Sequence, residues 1–436
     1  MLNIALEEAR GRHVLAALSG GADSVALLRV LCRARDAGIL EVTAAHFEHG
    51  IRGAESLADA EFCKKLCADM GVMFIPGRAN VPEIASRTGE GLETCARNMR
   101  YRFLNQTADM LGCDLIALAH HMDDQAETVL MHILRGAGPD GACGMRRLSG
   151  RLYRPLLGVR KSEIVAYLES EGLSWREDLT NEVPDNPRNA LRLNVIPSLE
   201  SIYPAGVRAI CRFAENTAVE SDFVAKMAEQ FSQERVEKLP HGWRIDISGE
   251  CEEALLRRTL RSLIGPDLTS EKLSELIRLD TACDVVNGLR AERCGYMLYI
   301  TRPFEIPHTA ALLKTDGVTA LEKLCRIKCA DHPPVPEKIL KSVQVLSKKA
   351  LSGAVLRTRA EGDRIAPFGM KGSKSLSDYM TDLKIDRPMR DLIPIIAKGN
   401  EVLWVIGYGI SRECALDGGE AVKLECEYIG WGGTRQ

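Results

Sequence analysis

No apolar run in the chain approaches the ~18 residues that a membrane-spanning helix requires, which argues against a helical membrane protein. The opening residues, Met1-Leu2-Asn3-Ile4-Ala5-Leu6-Glu7-Glu8, lack the basic start and long apolar core of a secretory signal. A cytoplasmic protein with no membrane partner is therefore expected. No C-x-x-C pair occurs among the 14 cysteines. The nearest spacings, Cys63/Cys67 and Cys325/Cys329, suit neither a zinc knuckle nor a redox pair, so no metal site is expected and the thiols read as buried and reduced. Charge of one sign is also missing. The 57 basic and 60 acidic residues give a net charge of −3, which argues against bulk attraction to nucleic acid but leaves room for a local basic face. There is no internal repeat and no low-complexity tract.

What is present is an ordinary globular composition, 45% hydrophobic and 27% charged over 436 residues, enough for two to four domains. The first part alternates strands and helices. His13 to Leu18, Val42 to Phe47, Val72 to Ile75 and Leu115 to Ala119 read as strands. Ser24 to Asp36, Glu55 to Met70, Leu92 to Leu111 and Asp123 to Leu134 read as helices, with a loop containing Pro76 and Pro82 in between. This alternation predicts an α/β fold with a doubly wound parallel sheet, which binds ligands beyond the carboxyl ends of its strands. Thr180 to Pro197 is loop-like; Ala205 to Lys238 and Glu252 to Leu279 have helical spacing. A break falls at Asp331-His332-Pro333-Pro334-Val335-Pro336, and short apolar runs at Ile393 to Ala397 and Val402 to Ile406 follow it. The expected division is 1–200 as a catalytic domain, 201–340 as a mainly helical domain and 341–436 as a small α+β domain.

Three polar clusters, at Ser19, His46 and His120, each follow a strand end. Ser19-Gly20-Gly21-Ala22-Asp23-Ser24 lies between a strand and a helix start, where glycines let backbone N–H groups approach a phosphate and the helix adds its positive end. The lysine of a Walker A loop is missing. Asp123 and Asp124 suit a helix N-terminus for dipolar reasons alone, but Glu127, on the same face as Asp124, needs another explanation. Arg97 pairs in spacing with Glu93, whereas Arg100 is placed toward the site. Arg188 and Arg192 are four apart and suit phosphate or a leaving group. Arg146 to Lys161 carries Arg146, Arg147, Arg151, Arg154, Arg160 and Lys161 with no acidic residue, a candidate RNA contact or a solvated surface.

The S-G-G-x-D-S loop resembles that of the N-type ATP pyrophosphatases. With His46 to Gly53, Glu93 to Tyr101, His120 to Thr128, Asp178, Asn181 and Arg188 to Arg192, the order and spacing resemble the bacterial tRNA(Ile)-lysidine synthetases. Gly362-Asp363-Arg364, Lys371-Gly372, Leu376-Ser377-Asp378 and Arg390-Asp391 are similar to the C-terminal domain of that family's long form. Glu48, where the family commonly has Asn or Asp, and Ser375, where it commonly has Lys, depart from the pattern. The resemblance implies adenylation of the wobble cytidine of a CAU-anticodon isoleucine tRNA by ATP with Mg²⁺, then attack by free L-lysine with release of AMP. It implies ATP contacts at Ser19, Gly20, Gly21, Ala22, Asp23, Ser24, His46 and His120, and catalytic roles for Asp23, Arg100, Asp124, Glu127 and Arg192. Asp124 and Glu127 would hold lysine; Arg188, Arg364, Lys371, Lys374 and Arg390 would hold tRNA. Whether Arg100 or Arg192 meets the lysine carboxylate is left open, and a homodimer is compatible. The alternatives are another N-type pyrophosphatase acting on tRNA or a small amide-forming substrate, and a non-enzymatic ATP- or tRNA-binding module.

Overall fold

The computed structural model describes residues 2, 4, 6–51, 54–176, 187–303, 309–322, 324–331, 342–416 and 418–429. Arg52, Gly53, Asp178, Asn181 and His332 to Pro336 lie outside the described residues. The chain forms two compact units, Met1–Asp222 and Phe223–Gln436.

The first unit is the parallel α/β body. In chain order it contains β1 (His13–Ala17), α1 (Ala22–Asp36), β2 (Glu41–Glu48), α2 (Ala54–Asp69), β3 (Met73–Arg78), α3 (Val81–Thr88), α4 (Leu92–Leu111), β4 (Leu115–Ala117) and α5 (Met122–Leu134). Then follow α6 (Pro139–Ala142), β5 (Leu148–Ser149), β6 (Leu152–Tyr153), α7 (Lys161–Ser170), α8 (Pro187–Ala190) and, after a π-helical turn at Leu191–Val195, α9 (Ile196–Ile202). The sheet order is β3-β2-β1-β4-β6-β5, parallel except for β5. Strand periodicity buries both faces. Val14 and Ala16 pack with Leu27, Leu28, Ile164 and Leu168 of α1 and α7, while Leu15 packs on the other face with Leu104 and Ala108 of α4. Because β2 and β4 flank β1 on opposite sides, the winding reverses at β1, and a crevice opens beyond its carboxyl end.

The strands and helices expected in this region are all present, and α4 spans the expected Leu92–Leu111. The loop expected around Pro76 and Pro82 is a correction. Pro76 lies in β3, an edge strand where a missing N–H is tolerated, and Pro82 lies in the first turn of α3 after the Asn80 cap.

A 30-residue helix, α10 (Gly206–Arg235), runs on from the first unit's sequence into the second. The expected long helix over 252–279 is two helices, Glu253–Ile264 and Ser270–Ile277, interrupted at Gly265. Their leucines pack on a five-stranded antiparallel sheet that alternation alone did not reveal. The rest of the unit is mostly sheet. One four-stranded sheet orders Gly317–Leu321, Cys325–Asp331, Ala421–Tyr428 and Val343–Ser347. It joins residues on both sides of the border expected at 340/341, so a cut there would separate hydrogen-bonded strands. Among the described residues no helix is long and apolar enough to cross a membrane.

Candidate active site

The loop after β1 is organised by Ser24. Its buried hydroxyl accepts the backbone N–H groups of Ser19 and Gly20, both at 3.1 Å, and donates to the Gly21 carbonyl at 2.9 Å. Gly20 has φ +93°, and a Cβ there would sit 3.3 Å from Cys63 Sγ, so glycine is required on two counts. The donors left for an anion are the first-turn N–H groups of α1, whose N-cap Gly21 provides no side-chain cap. Ser19, Gly20, Gly21, Ala22, Asp23 and Ser24 thus form one loop–helix junction, with Ser24 serving its shape.

Beside it, His46 at the end of β2 is buried and donates Nδ1–H to the Leu18 carbonyl at 2.9 Å. These strand ends, with Arg100 and Leu104 of α4, line a cleft of about 260 Å³. Arg100 Nε is buried without a hydrogen-bond partner among the described residues, an orphan donor that a ligand can satisfy. Arg97 and Arg100 both lie over the Tyr101 ring, at 5.1 and 5.5 Å. Glu48 is buried at the cleft wall, where it accepts the Gly50 N–H at 2.7 Å and pairs with Arg78 at 2.6 Å; this holds the turn after β2.

On the β4 side, the strand delivers His120 and His121 to the start of α5. His121 caps the helix by accepting the Asp124 N–H, while the Asp124 carboxylate accepts the His121 N–H at 3.1 Å. Burial opposes charge on His121, but Asp123, Asp124 and Asp23 around it outweigh burial and raise its pKa. His120 goes the other way. Burial, with help from Arg154, Arg100 and Arg188 and against the pull of Asp124, lowers it to about 4, and its Nδ1 has no hydrogen-bond partner among the described residues. Asp123 is an anchor: it accepts the Lys161 N–H at 2.8 Å and Arg160 Nε at 3.0 Å. Despite its burial, these bonds and His121 hold its carboxyl well below the usual range.

Two further contacts complete the cluster. Lys161 Nζ, at the start of α7, meets Asp23 Oδ1 at 2.7 Å. Glu127, fully buried, is gripped by Arg192 Nε at 2.6 Å and Arg188 Nε at 2.8 Å, and Arg192 also reaches Asp124 at 3.2 Å. The site therefore has two halves around the end of β1: a nucleoside-sized cleft with an anion-seeking helix start, and a carboxylate–arginine cluster that can exchange charged partners.

Residues 2–199 match the family model described as the PP-loop domain, and residues 354–426 match that of the TilS substrate C-terminal domain. A solved U34-tRNA thiolase from Methanococcus maripaludis overlaps 48% of this chain and 72% of its own at TM-score 0.41 and 22% identity. The tRNA(Ile)-lysidine synthase of Caldanaerobacter subterraneus subsp. tengcongensis is 30% identical over 435 residues, 95% of this chain and 93% of that protein. That of Symbiobacterium thermophilum is 32% identical over 455 residues, 94% and 92% of the two chains. The chain belongs to the tRNA(Ile)-lysidine synthase family.

Against that family assignment, the structure brings together Asp23, His120, Asp124, Glu127, Arg188 and Arg192, and sets His46 and Arg100 on the cleft. The basic run from Arg146 to Lys161 is not an open face. Arg146 pairs with Asp222, Arg151 with Asp109, Arg160 with Asp123 and Glu200, and Lys161 with Asp23, while Arg154 is buried. In the C-terminal region, Arg364 and Lys371 are exposed, Lys374 is tied to Asp382 at 2.5 Å and Arg390 donates to the Ile385 carbonyl at 2.9 Å. Ser375 caps the helix Leu376–Asp382 by accepting the Asp378 N–H, which accounts for a hydroxyl at that position. Sequence reasoning missed Lys161 as a site residue. The available signal was position: it opens the helix after a parallel strand, where side chains emerge at the binding end of the sheet.

Proposed function

We propose that this chain ligates free L-lysine to the wobble cytidine of the CAU-anticodon isoleucine tRNA, with ATP cleaved to AMP and pyrophosphate. The observation that carries the reading is the pairing of a nucleotide cleft with a carboxylate–arginine cluster at one switch point, in a chain of this family. ATP lies with its nucleoside in the cleft by His46 and Arg100 and its phosphates at the start of α1. The ring carbonyl oxygen of the flipped cytidine attacks the α-phosphorus, and the bond to pyrophosphate breaks. The lysine ε-amine then attacks the activated ring carbon and AMP leaves.

Asp124 and Glu127 hold the incoming amine and take its proton, since an ammonium is not nucleophilic near neutral pH. For this they exchange Arg188 and Arg192, which move to the phosphate that becomes AMP. His120, neutral at that pH, contributes hydrogen bonding rather than charge. Mg²⁺ bound to polyphosphate needs only one or two protein carboxylates, and Asp23 at the helix start fits that demand; the ion would screen phosphate charge. Arg364, Lys371, Lys374 and Arg390 contribute to tRNA affinity. The working place is the cytoplasm, and sedimentation of the full chain distinguishes a homodimer from a single copy.

The test combines purified protein, Mg·ATP, radiolabelled lysine and a CAU-anticodon transcript. Lysine incorporation matched by AMP and pyrophosphate is expected. ADP and orthophosphate as the products, or incorporation without ATP, would overturn the reading.

A further inference from the structure

We propose that Lys161 is the cation that receives the β and γ phosphates of ATP and then the pyrophosphate leaving group, supplying from α7 the lysine that the loop itself lacks. This rests on the reading of the chain as an ATP-cleaving ligase.

The loop from Ser19 to Ser24 contains no basic residue, and the N–H groups of Ser19 and Gly20 are turned onto Ser24. What remains at the junction is the end of a helix dipole, roughly half a charge. A polyphosphate chain carries several full charges, so a formal cation is needed nearby. Lys161 Nζ stands 2.7 Å from Asp23, the second residue of α1, and therefore already at the mouth of that helix.

The other cations near the loop have other places. Arg160 is committed to Asp123 and Glu200, and Arg188 and Arg192 sit on Glu127 further along α5 and go to the α-phosphate. Arg176, which packs on Gly20, is paired with Asp59 at 2.8 Å. Lys161 is placed from behind, because its own N–H bonds Asp123 at 2.8 Å, while its side chain remains 43% exposed with Asp23 as its ion-pair partner. Such a partly solvated pair is weak, and a polyphosphate outcompetes one carboxylate for a flexible ammonium. Asp23 then serves as a parking place for the ammonium between turnovers.

The experiment compares full-length wild type with Lys161→Met and Lys161→Arg, measuring pyrophosphate and AMP binding separately by calorimetry. Lys161→Met should weaken pyrophosphate by about 10- to 100-fold, the loss of one charge-assisted contact, with AMP within about twofold. Lys161→Arg should recover most of the pyrophosphate affinity. Unchanged pyrophosphate binding in Lys161→Met would overturn the assignment, as would an equal loss for AMP, which would mean that Lys161 only shapes the loop through Asp23. Wild type that forms no AMP and pyrophosphate with tRNA and lysine would instead sink the ligase reading. Normal wild-type turnover with normal pyrophosphate binding by Lys161→Met sinks only this one.

Discussion

Replacing Glu127 by Gln removes one negative charge from the centre of the carboxylate–arginine cluster while keeping the side chain's shape. The carboxylate is 1% exposed and accepts three bonds, from Arg188 Nε at 2.8 Å and from Arg192 Nε and Nη2 at 2.6 and 3.1 Å. Breaking a fully buried pair by removing one partner costs about 3–5 kcal/mol. Here the arginines are 38% and 35% exposed and can turn to water, and Gln keeps one acceptor oxygen. The expected loss is therefore about 2 kcal/mol. For a unit of this size, Met1–Asp222, that corresponds to a fall of about 4–8 °C in its melting transition, read by calorimetry. The double variant Glu127→Gln/Arg192→Met should lose less than the sum of the singles, because the second change removes a cation already stranded. A shift below about 1 °C, or strict additivity, would refute the view that these groups form one charge-compensated unit.

Asp124→Asn should fold normally, since His121 rather than Asp124 is the N-cap and Asn preserves an acceptor for the His121 N–H; it should release pyrophosphate but transfer lysine poorly. Pyrophosphate and lysine incorporation measured in one sample check this, and equal loss of both steps contradicts it. His120 is held neutral by burial, its pKa lowered from 6.5 to about 4, so between those values the unfolded chain binds the extra proton and stability falls as pH falls. His120→Gln should flatten that limb of the urea midpoint against pH, and an unchanged slope counts against it. Arg364→Ala and Lys371→Ala, both at exposed positions, should each weaken tRNA binding and lower its salt slope by about 1, with ATP binding unchanged. Filter binding over a salt series decides.

The catalytic half of the fold was legible because its local signals agree with its tertiary structure. Gly38, Gly71 and Gly112 all take positive φ, as helix-ending glycines should, and the apolar runs form the sheet. Pro76 and Pro82 misled because proline breaks central strands and helix interiors, yet sits comfortably on an edge strand and in a first turn. The five-stranded sheet was hidden because its strands are only three to five residues long and the two helices Glu253–Ile264 and Ser270–Ile277 split them into a group of two and a group of three. Of the candidate site, motif position located the loop, the histidines and the acidic helix start. Lys161 was passed over because its partner Asp23 is 138 residues away and a run of like charges reads as a surface until each partner is placed.

The four-stranded sheet of the second unit has the last strand among the described residues, Ala421–Tyr428, as an interior member, bonded on one side to Cys325–Asp331 and on the other to Val343–Ser347. During synthesis this sheet has a gap until Ala421–Tyr428 leaves the ribosome. The first unit ends at Asp222, so at roughly 5–20 residues per second it has on the order of 10–40 s to fold before that gap can close. Once made, the apolar residues Ile327, Cys329 and Leu346 wait for Val422 and Leu424. A ribosome stalled just before Ala421 would thus carry a complete nucleotide-binding body tethered to an unfinished, aggregation-prone sheet, and a nonsense codon there would leave the cleft and the carboxylate–arginine cluster in place while removing the strand that fills the other unit's sheet.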